Sequence, residues 1–148
     1  MRFPPPLIYL ATVLLGVGLE SFVFPLRRVD FYVWARPLAV LVLLVGVAMI
    51  AAAIGLFRRS GQNPEPWKPT PEILTGGIYR LTRNPMYLGL ALLQLALGLW
   101  KGNGWIVVLA PLSLAAVYWF AVRHEEAYLE GKFGHVYLDY KASVRRWI

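Results

Sequence analysis

The polar residues that could carry chemistry fall into two blocks of an otherwise apolar chain. The first block, residues 75–89, reads TGGIYRLTRNPMYLG, and the second joins RHEE at 123–126 to FGHVY at 133–137. The two blocks stand at the two ends of one pair of apolar runs. If those runs form a helical hairpin, both blocks meet at the same face, and this convergence predicts a site there.

The first block is suited to a small zwitterionic ligand. Gly76 and Gly77 would let the backbone approach a ligand closely. Pro85 favours a helix start, whose free N–H groups attract an anionic group, and Arg83 could add a bidentate contact to it. The alternative is topological, with Arg80 and Arg83 as interface anchors and the glycine pair as a simple turn.

The second block places two carboxylates where a helix would leave the membrane. Glu125 and Glu126 could bind an ammonium group or ribose hydroxyls. The alternative is a solvated helix face that pairs with Arg123 or Lys132, which would stabilise the fold little. The chain has only two histidines and no cysteine, and their spacing matches no familiar metal site, so no metal is expected.

Composition and run length indicate the elements that must position these blocks. The 148 residues are 58% hydrophobic and 16% charged, whereas soluble domains carry about 25% charged residues. Apolar runs cover 7–24, 37–57, 86–100 and 105–122, and about 20 helical residues cross a bilayer core. We predict one all-α, polytopic domain (1–148) with about four transmembrane helices, a cytosolic connection at 58–85 and a cytosolic tail at 123–148.

The third and fourth runs are predicted to form a hairpin. Lys101 to Gly104 is a tight polar turn between them. The third run is short, so a re-entrant hairpin is the alternative to a full span. The tail is predicted to be an amphipathic helix, broken near Gly131–Gly134, because apolar and aromatic residues recur there at helical spacing.

Three further features concern the spans. The first run lacks the small-residue cleavage site of a signal peptide, so we expect it to be retained. Glu20 lies inside that run, where an ionisable residue is either functional or snorkels to the interface. Gln94 in the third run is expected to form an interhelical hydrogen bond.

The net charge of +7 is attributed to membrane topology rather than to nucleic acid, because the basic residues flank apolar runs. With four spans, both termini and the 58–85 connection share one side, which is predicted to be cytoplasmic. The prediction rests on an excess of basic residues on that side. It would carry Arg2, Arg58, Arg59, Lys68, Arg80, Arg83, Arg123, Lys132, Lys141, Arg145 and Arg146, and the opposite side would carry Arg27, Arg28, Arg36 and Lys101.

The ordered motifs resemble one family of membrane enzymes. Gly77-Ile78-Tyr79-Arg80 precedes RNPMYLG at 83–89, the Glu125–Glu126 pair, the spaced Phe133-Gly134, Tyr137 and Tyr140, and VRRWI at 144–148. This series is similar to that of the isoprenylcysteine carboxyl methyltransferase and phospholipid methyltransferase family. The resemblance covers roughly residues 71–148, while the first two runs match only as apolar segments.

The resemblance implies S-adenosylmethionine, released as S-adenosylhomocysteine, in a cytosolic pocket capped by the C-terminal segment. It implies methyl transfer to a lipophilic or lipidated acceptor in the bilayer, with Arg83, Asn84 and Glu125 as candidate positioning residues. The cofactor contacts implied by the resemblance are Leu74, Tyr79, Asn84, Pro85, Met86, Tyr87 and Glu125. The composition of the two blocks adds Gly76, Gly77, Arg83 and Glu126 as expected contacts.

Two departures from the family pattern affect the expected chemistry. Asn84 stands where many members carry histidine, and asparagine cannot titrate. Ala121 stands where the prenylcysteine enzymes carry a substrate-binding arginine, which leaves Arg123 as the nearest candidate for a substrate contact. Two other readings stay open: a nicotinamide-dependent enzyme similar to membrane sterol reductases, and a non-catalytic membrane scaffold that retains the fold.

Overall fold

A computed structural model describes residues 4–26, 29–64 and 70–148, and it contains helices and no strands within those ranges. The predicted all-α fold is confirmed. Arg2, Arg27, Arg28 and Lys68, which enter the predicted charge bias, lie outside the described residues. The helices are α1 (Pro5–Phe22), α2 (Val29–Arg59), a 3₁₀ turn (Gly77–Arg80), α3 (Pro85–Lys101), α4 (Gly104–Val117), a π-helical turn (Tyr118–Val122), α5 (Arg123–Phe133) and α6 (His135–Ser143).

Three helical segments of the described chain are long and apolar enough to cross a membrane: Pro5–Phe22, Val33–Arg59 and Gly104–Phe133. The third predicted run forms α3, which has 17 residues and is about 26 Å long. The second run, 37–57, lies within α2, which extends beyond it at both ends and holds Pro37 inside the helix. Pro37 removes one intrahelical hydrogen bond there.

The predicted hairpin between α3 and α4 is present, and its turn has clear local causes. Gly102 adopts the left-handed conformation at φ 66°, which glycine reaches without a Cβ clash and which commonly ends helices. Asn103 then caps α4, since its Oδ1 accepts the N–H of Ile106 at 3.0 Å. Its Nδ2 donates to Gly16 O at 3.3 Å, so the turn also holds α1.

Helix α3 is central, with α2 on one side and α1 and α4 on the other. Glycines allow the close approach of α2 and α3. A Cβ built on Gly89 would lie 2.6 Å from Ile50 Cγ1 and 3.0 Å from Gly46 O. The same holds between α1 and α4, where a Cβ on Gly16 would lie 2.7 Å from Ile106 Cγ1. Small residues at helix contacts are what packing in lipid favours.

A polar cluster joins α1, α3 and α4 inside the bundle. Ser113 Oγ donates to Gln94 Oε1 at 2.8 Å and lies 2.6 Å from Thr12 Oγ1. Gln94 Nε2 donates to Ile106 O at 3.4 Å. The interhelical hydrogen bond predicted for Gln94 is confirmed. Such bonds satisfy polar groups that would otherwise lie unpaired in hydrocarbon.

The second polar block belongs to the same continuous helix as the fourth apolar run. The π-helical turn Tyr118–Val122 joins α4 to α5 without a break. A π turn accommodates an inserted residue, which rotates everything that follows by about 100°. Helix α5 ends at Phe133, and Gly134 turns the chain at φ 55° into α6. The predicted break near Gly131–Gly134 is therefore confirmed.

Hydrogen bonds at both ends of α1 fix which ends of the helices lie together. Trp105 Nε1 donates to Phe24 O at 2.6 Å, beside the hairpin turn. Tyr9 Oη donates to Tyr87 O at 2.7 Å, at the start of α3. The N-terminal turn of α1 thus lies at the same end as both polar blocks. Near the opposite end, Glu20 Oε2 accepts the N–H of Leu26 at 2.9 Å.

Candidate active site

A cavity of about 350 Å³ lies where the two polar blocks meet. Its wall comes from α1, α2, α3, α5, α6 and the segment before α3. It is lined by these residues predicted from the sequence: Leu74, Tyr79, Arg83, Asn84, Pro85, Met86, Tyr87, Glu125 and Glu126. The hairpin therefore brings the two blocks together at one face, as their order along the chain implies.

Helix α3 begins at the cavity, and Pro85 occupies its first turn. The backbone N–H groups of Met86 and Tyr87 belong to that turn, whose amides have no partner within a helix. Asn84 precedes the helix, and its carbonyl accepts the N–H of Leu88 at 3.0 Å. The predicted start of the third helix at Pro85 is confirmed, and its positive end adjoins the cavity.

Tyr87 and Glu125 form a hydrogen-bonded pair across the cavity wall. Tyr87 Oη donates to Glu125 Oε1 at 2.6 Å, a length typical of a bond to a carboxylate. The pair joins the first turn of α3 to the first turn of α5. One carboxylate oxygen of Glu125 is thereby held by protein, which orients the group towards the cavity that it lines.

Glu126 is the centre of an ion-pair cluster that we term the clamp, formed by Glu126, Arg83 and Arg146. Arg146 Nε and Nη2 donate to the two carboxylate oxygens of Glu126, each at 2.9 Å. Arg83 Nη1 lies 3.0 Å from Glu126 Oε1. Glu126 is only 7% exposed, so the solvated face considered in the sequence analysis is wrong. Both carboxylate oxygens of Glu126 thus bond to arginines, whereas Glu125 bonds to Tyr87 through one of its oxygens.

Arg83 carries one donor, Nε, that lies outside its ion pair with Glu126. Its side chain is 8% exposed, and its Nε and Nη1 have no hydrogen-bond acceptor among the described residues. Nη1 is close enough to Glu126 for ion pairing, but the N–H does not point at the carboxylate in hydrogen-bond geometry. Buried donors without acceptors are rare in proteins. In a residue that lines a cavity, they suit an anionic ligand group.

The C-terminal segment 144–148, which we term the strap, is bound to the residues that precede α3. Arg83 N donates to Arg145 O at 3.0 Å. Thr82 Oγ1 and Asn84 Nδ2 both donate to Arg146 O, at 3.0 Å and 3.2 Å. Trp147 packs against the core cluster around Tyr87. The amide of Asn84 thus holds the strap, a structural task that needs no titratable group.

Tyrosines form much of the remaining wall. Tyr140 Oη donates to Tyr79 O at 2.7 Å, which joins α6 to the 3₁₀ turn. Burial raises the pKa of Tyr79 and Tyr140 above the ordinary tyrosine value, so both phenols stay neutral. Phe57 of α2 meets Tyr79 edge to face, with ring centroids 6.1 Å apart. Aromatic faces of this kind attract cations.

Some predicted residues lie away from the cavity. Gly77 has φ 54°, and a Cβ there would lie 2.8 Å from Leu56 Cδ1 of α2, so this glycine is required by the turn and by its packing. Gly76 has no neighbour within 4 Å of its would-be Cβ, and neither glycine lines the cavity. Arg123 is exposed and stacks on Trp119 at 4.8 Å, so its predicted substrate contact is not part of this wall.

The structure also adds residues that the motifs did not indicate. Pro6 of α1, Ile54 of α2 and Tyr128 of α5 also line the cavity. Tyr9 reaches the site through the backbone of α3. The one signal for Tyr9 was its type, because it is the only tyrosine in the run 7–24. Within the described ranges, no group of three histidine, aspartate or glutamate side chains could hold a metal ion.

Comparison with known proteins places the chain in a family. The sequence model described as phospholipid methyltransferase matches residues 34–136, which run from within α2 to the first residues of α6. A protein of Haemophilus influenzae described as uncharacterized is 45% identical over 65 residues, covering 43% of this chain and all of that protein. No solved structure matches the chain. Because the family match spans more than half of its length, the chain belongs to the phospholipid methyltransferase family.

Proposed function

We propose that the protein is a multi-pass membrane enzyme that transfers a methyl group from S-adenosylmethionine to a lipid or lipidated acceptor in the bilayer. Membership of a methyltransferase family supports the reaction type. The observation that carries the proposal is the composition of the cavity. It combines the buried Nε donor of Arg83, the start of α3 and the Tyr87–Glu125 pair at one end of an apolar bundle.

The chemistry of S-adenosylmethionine fits these groups. Its carboxylate matches the Nε donor of Arg83, which the clamp leaves without an acceptor, and the first-turn amides of α3. Its ammonium and ribose hydroxyls match the carboxylate of Glu125, and its sulfonium matches the tyrosine faces around Tyr79. When bound, the cofactor supplies a methyl group that is already electrophilic, so the reaction needs no metal.

The residues of the chain then act by positioning. Tyr87 orients Glu125. Glu126 holds the guanidinium of Arg83 in place and leaves its Nε donor for a ligand. The apolar wall from Ile54 and Leu90 excludes water from the reacting atoms, and the strap holds the segment before α3 in place. Holding two groups at about 3–3.5 Å in line accounts for much of the rate of such transfers, and a closed site limits side reactions.

We propose a cytoplasmic orientation for the cavity and for both chain termini. The positive-inside rule favours it, because the basic residues of the sequence are concentrated on that side. The placement of α1 supports the same arrangement, since its N-terminal turn lies at the cavity through the bond from Tyr9 to Tyr87. The Lys101–Gly104 turn then faces the opposite side.

Calorimetry in detergent tests the cofactor assignment. Glu125→Gln and Tyr87→Phe are each expected to raise the Kd for S-adenosylmethionine at least about tenfold, because hydrogen bonds that involve a charged group contribute about 1.5–3 kcal/mol. The matched control is Asp139→Asn, which removes an exposed carboxylate of α6 outside the cavity wall. Wild-type affinity in both site variants would refute the assignment.

A ligand panel separates the proposed enzyme from its alternatives. Bound ligand raises the unfolding midpoint by mass action, so the midpoint is compared with S-adenosylmethionine, S-adenosylhomocysteine and NADPH. We expect shifts with the first two. A shift with NADPH alone would select a reductase, and no shift with any of them would favour a scaffold. Transfer of labelled methyl from S-adenosylmethionine to membrane lipids then tests turnover directly.

A further inference from the structure

Tyr9 lies between the two helical segments that carry Tyr87 and Glu125. Its hydroxyl donates to Tyr87 O at 2.7 Å across 78 positions of sequence, and the residue is only 5% exposed. The carbonyl that it contacts belongs to the third residue of α3, in the first turn of a helix that begins at Pro85. Tyr9 therefore fixes the backbone of the residue whose side chain holds Glu125.

The same turn of α1 also packs against the segment that leads to Glu125. Ile8 and Tyr9 belong to one buried cluster with Ala121 and Val122. Those two residues end the π-helical turn, and Arg123 begins α5 directly after them. α1 lies outside the residues 34–136 that match the family, so neither the match nor the motifs assign a role to it.

We infer that Tyr9 is a positioning residue for methyl transfer, which holds the first turn of α3 against α1 and thereby sets the Tyr87–Glu125 geometry. This inference rests on the proposed function for its kinetic consequence. The geometry itself does not, because the Tyr9 bond and the shared cluster are contacts within the protein. Hydrophobic packing alone would be met by phenylalanine, and the hydroxyl adds the directional link to Tyr87 O.

Tyr9→Phe is a mild perturbation that suits the test. The ring and its packing remain, and Tyr87 O keeps its helical acceptor role towards the amide four residues on. The expected result is a fall of at least about fivefold in kcat with the KM for the acceptor nearly unchanged, since small misplacements of reacting groups lower rates strongly. The Kd for S-adenosylmethionine should change by less than about threefold, well below the effect of removing a direct contact.

Thr12→Val is the matched control on the same helix. It removes hydrogen bonds to Ser113 and Gln94 inside the bundle and the intrahelical bonds to Ile8 O and Tyr9 O, but it leaves the bond from the Tyr9 hydroxyl to Tyr87 O in place. It should lower the unfolding midpoint and leave kcat unchanged. Equal losses of kcat in Tyr9→Phe and Thr12→Val would make the role of Tyr9 merely structural, and an unchanged kcat in Tyr9→Phe would overturn the inference outright.

A readout without turnover keeps the inference separate from the proposed function. Carbodiimide coupling of Glu125, followed by mass spectrometry, reports how well Tyr87 protects the carboxylate. Tyr9→Phe should speed this coupling relative to wild type, while Thr12→Val should not. If wild type transfers no methyl group but Tyr9→Phe still exposes Glu125, the proposed function fails and the positioning geometry stands. If Glu125 reacts at the same rate in all three proteins, the positioning role is refuted.

Discussion

The clamp offers a direct test of the energetics of the site. Glu126→Gln keeps the shape of the side chain but removes its charge. The Arg83 guanidinium, 8% exposed, is then left buried without its counterion. Breaking a buried ion pair from one side destabilises a protein by about 3–5 kcal/mol. Arg146 adds less to the loss, because it is 32% exposed and water replaces part of its bond.

The expected effect on unfolding is large for a single isosteric change. At about 2–4 °C per kcal/mol for a chain of this size, the midpoint in detergent should fall by roughly 6–20 °C. Glu130→Gln is the matched control, because Glu130 pairs with Lys141 and both side chains are about one third exposed. An exposed pair of that kind contributes at most about 1 kcal/mol, so this variant should stay within a few degrees of wild type.

A double-mutant cycle separates the clamp from general loss of packing. Glu126→Gln and Arg146→Gln are measured singly and together, and residues in one ion-pair network show coupling of about 0.5–3 kcal/mol. The reasoning would be refuted if Glu126→Gln unfolded within about 1 kcal/mol of wild type, the size of an exposed pair. Additive effects in the cycle would equally show that the carboxylate and Arg146 do not act together.

Two other predictions concern the bundle and its orientation. Gly16→Ala should destabilise the protein by about 1–3 kcal/mol, because the new Cβ would meet Ile106 Cγ1 at 2.7 Å and its backbone N at 3.0 Å. Gly18→Ala, two residues along the same helix with open space around it, should be neutral or stabilising by up to about 1 kcal/mol; the opposite order in a thermal scan would contradict the packing. The chain has no cysteine, so in intact cells a membrane-impermeant maleimide should label Lys101→Cys, and Ala142→Cys only after permeabilisation. The reverse pattern would invert the proposed topology.

Much of the architecture could be predicted from local sequence. The backbone N–H and C=O groups of a long apolar run find hydrogen-bond partners in lipid when the run forms a helix. Run length therefore predicted the helical structure. Gly102 marks the end of α3 and Asn103 marks the start of α4, because glycine favours helix C-termini and asparagine favours N-caps. Pro85 marks the start of α3. The apolar run 37–57 lies inside the longer helix α2, because run length marks the apolar part of a helix and not its polar first turns.

The roles within the site required the tertiary structure. Glu125 and Glu126 are adjacent acidic residues with the same local context, yet one bonds to Tyr87 and the other joins Arg83 to Arg146. Neighbours on a helix point about 100° apart, so their environments are set by what packs around the helix. The π-helical turn before them sets that rotation, and its sequence carries no distinctive signal.

The sequence by itself determined the helical class, the hairpin and the meeting of the two polar blocks, because each depends on hydrophobicity and turn chemistry within a short segment. Only the tertiary structure decided that Gly77 serves the contact with Leu56, that Asn84 holds the strap, and that Tyr9 reaches the start of α3. Each of these contacts joins residues that lie at least 20 positions apart along the chain. Their geometry depends on how whole helices pack, which no local pattern encodes.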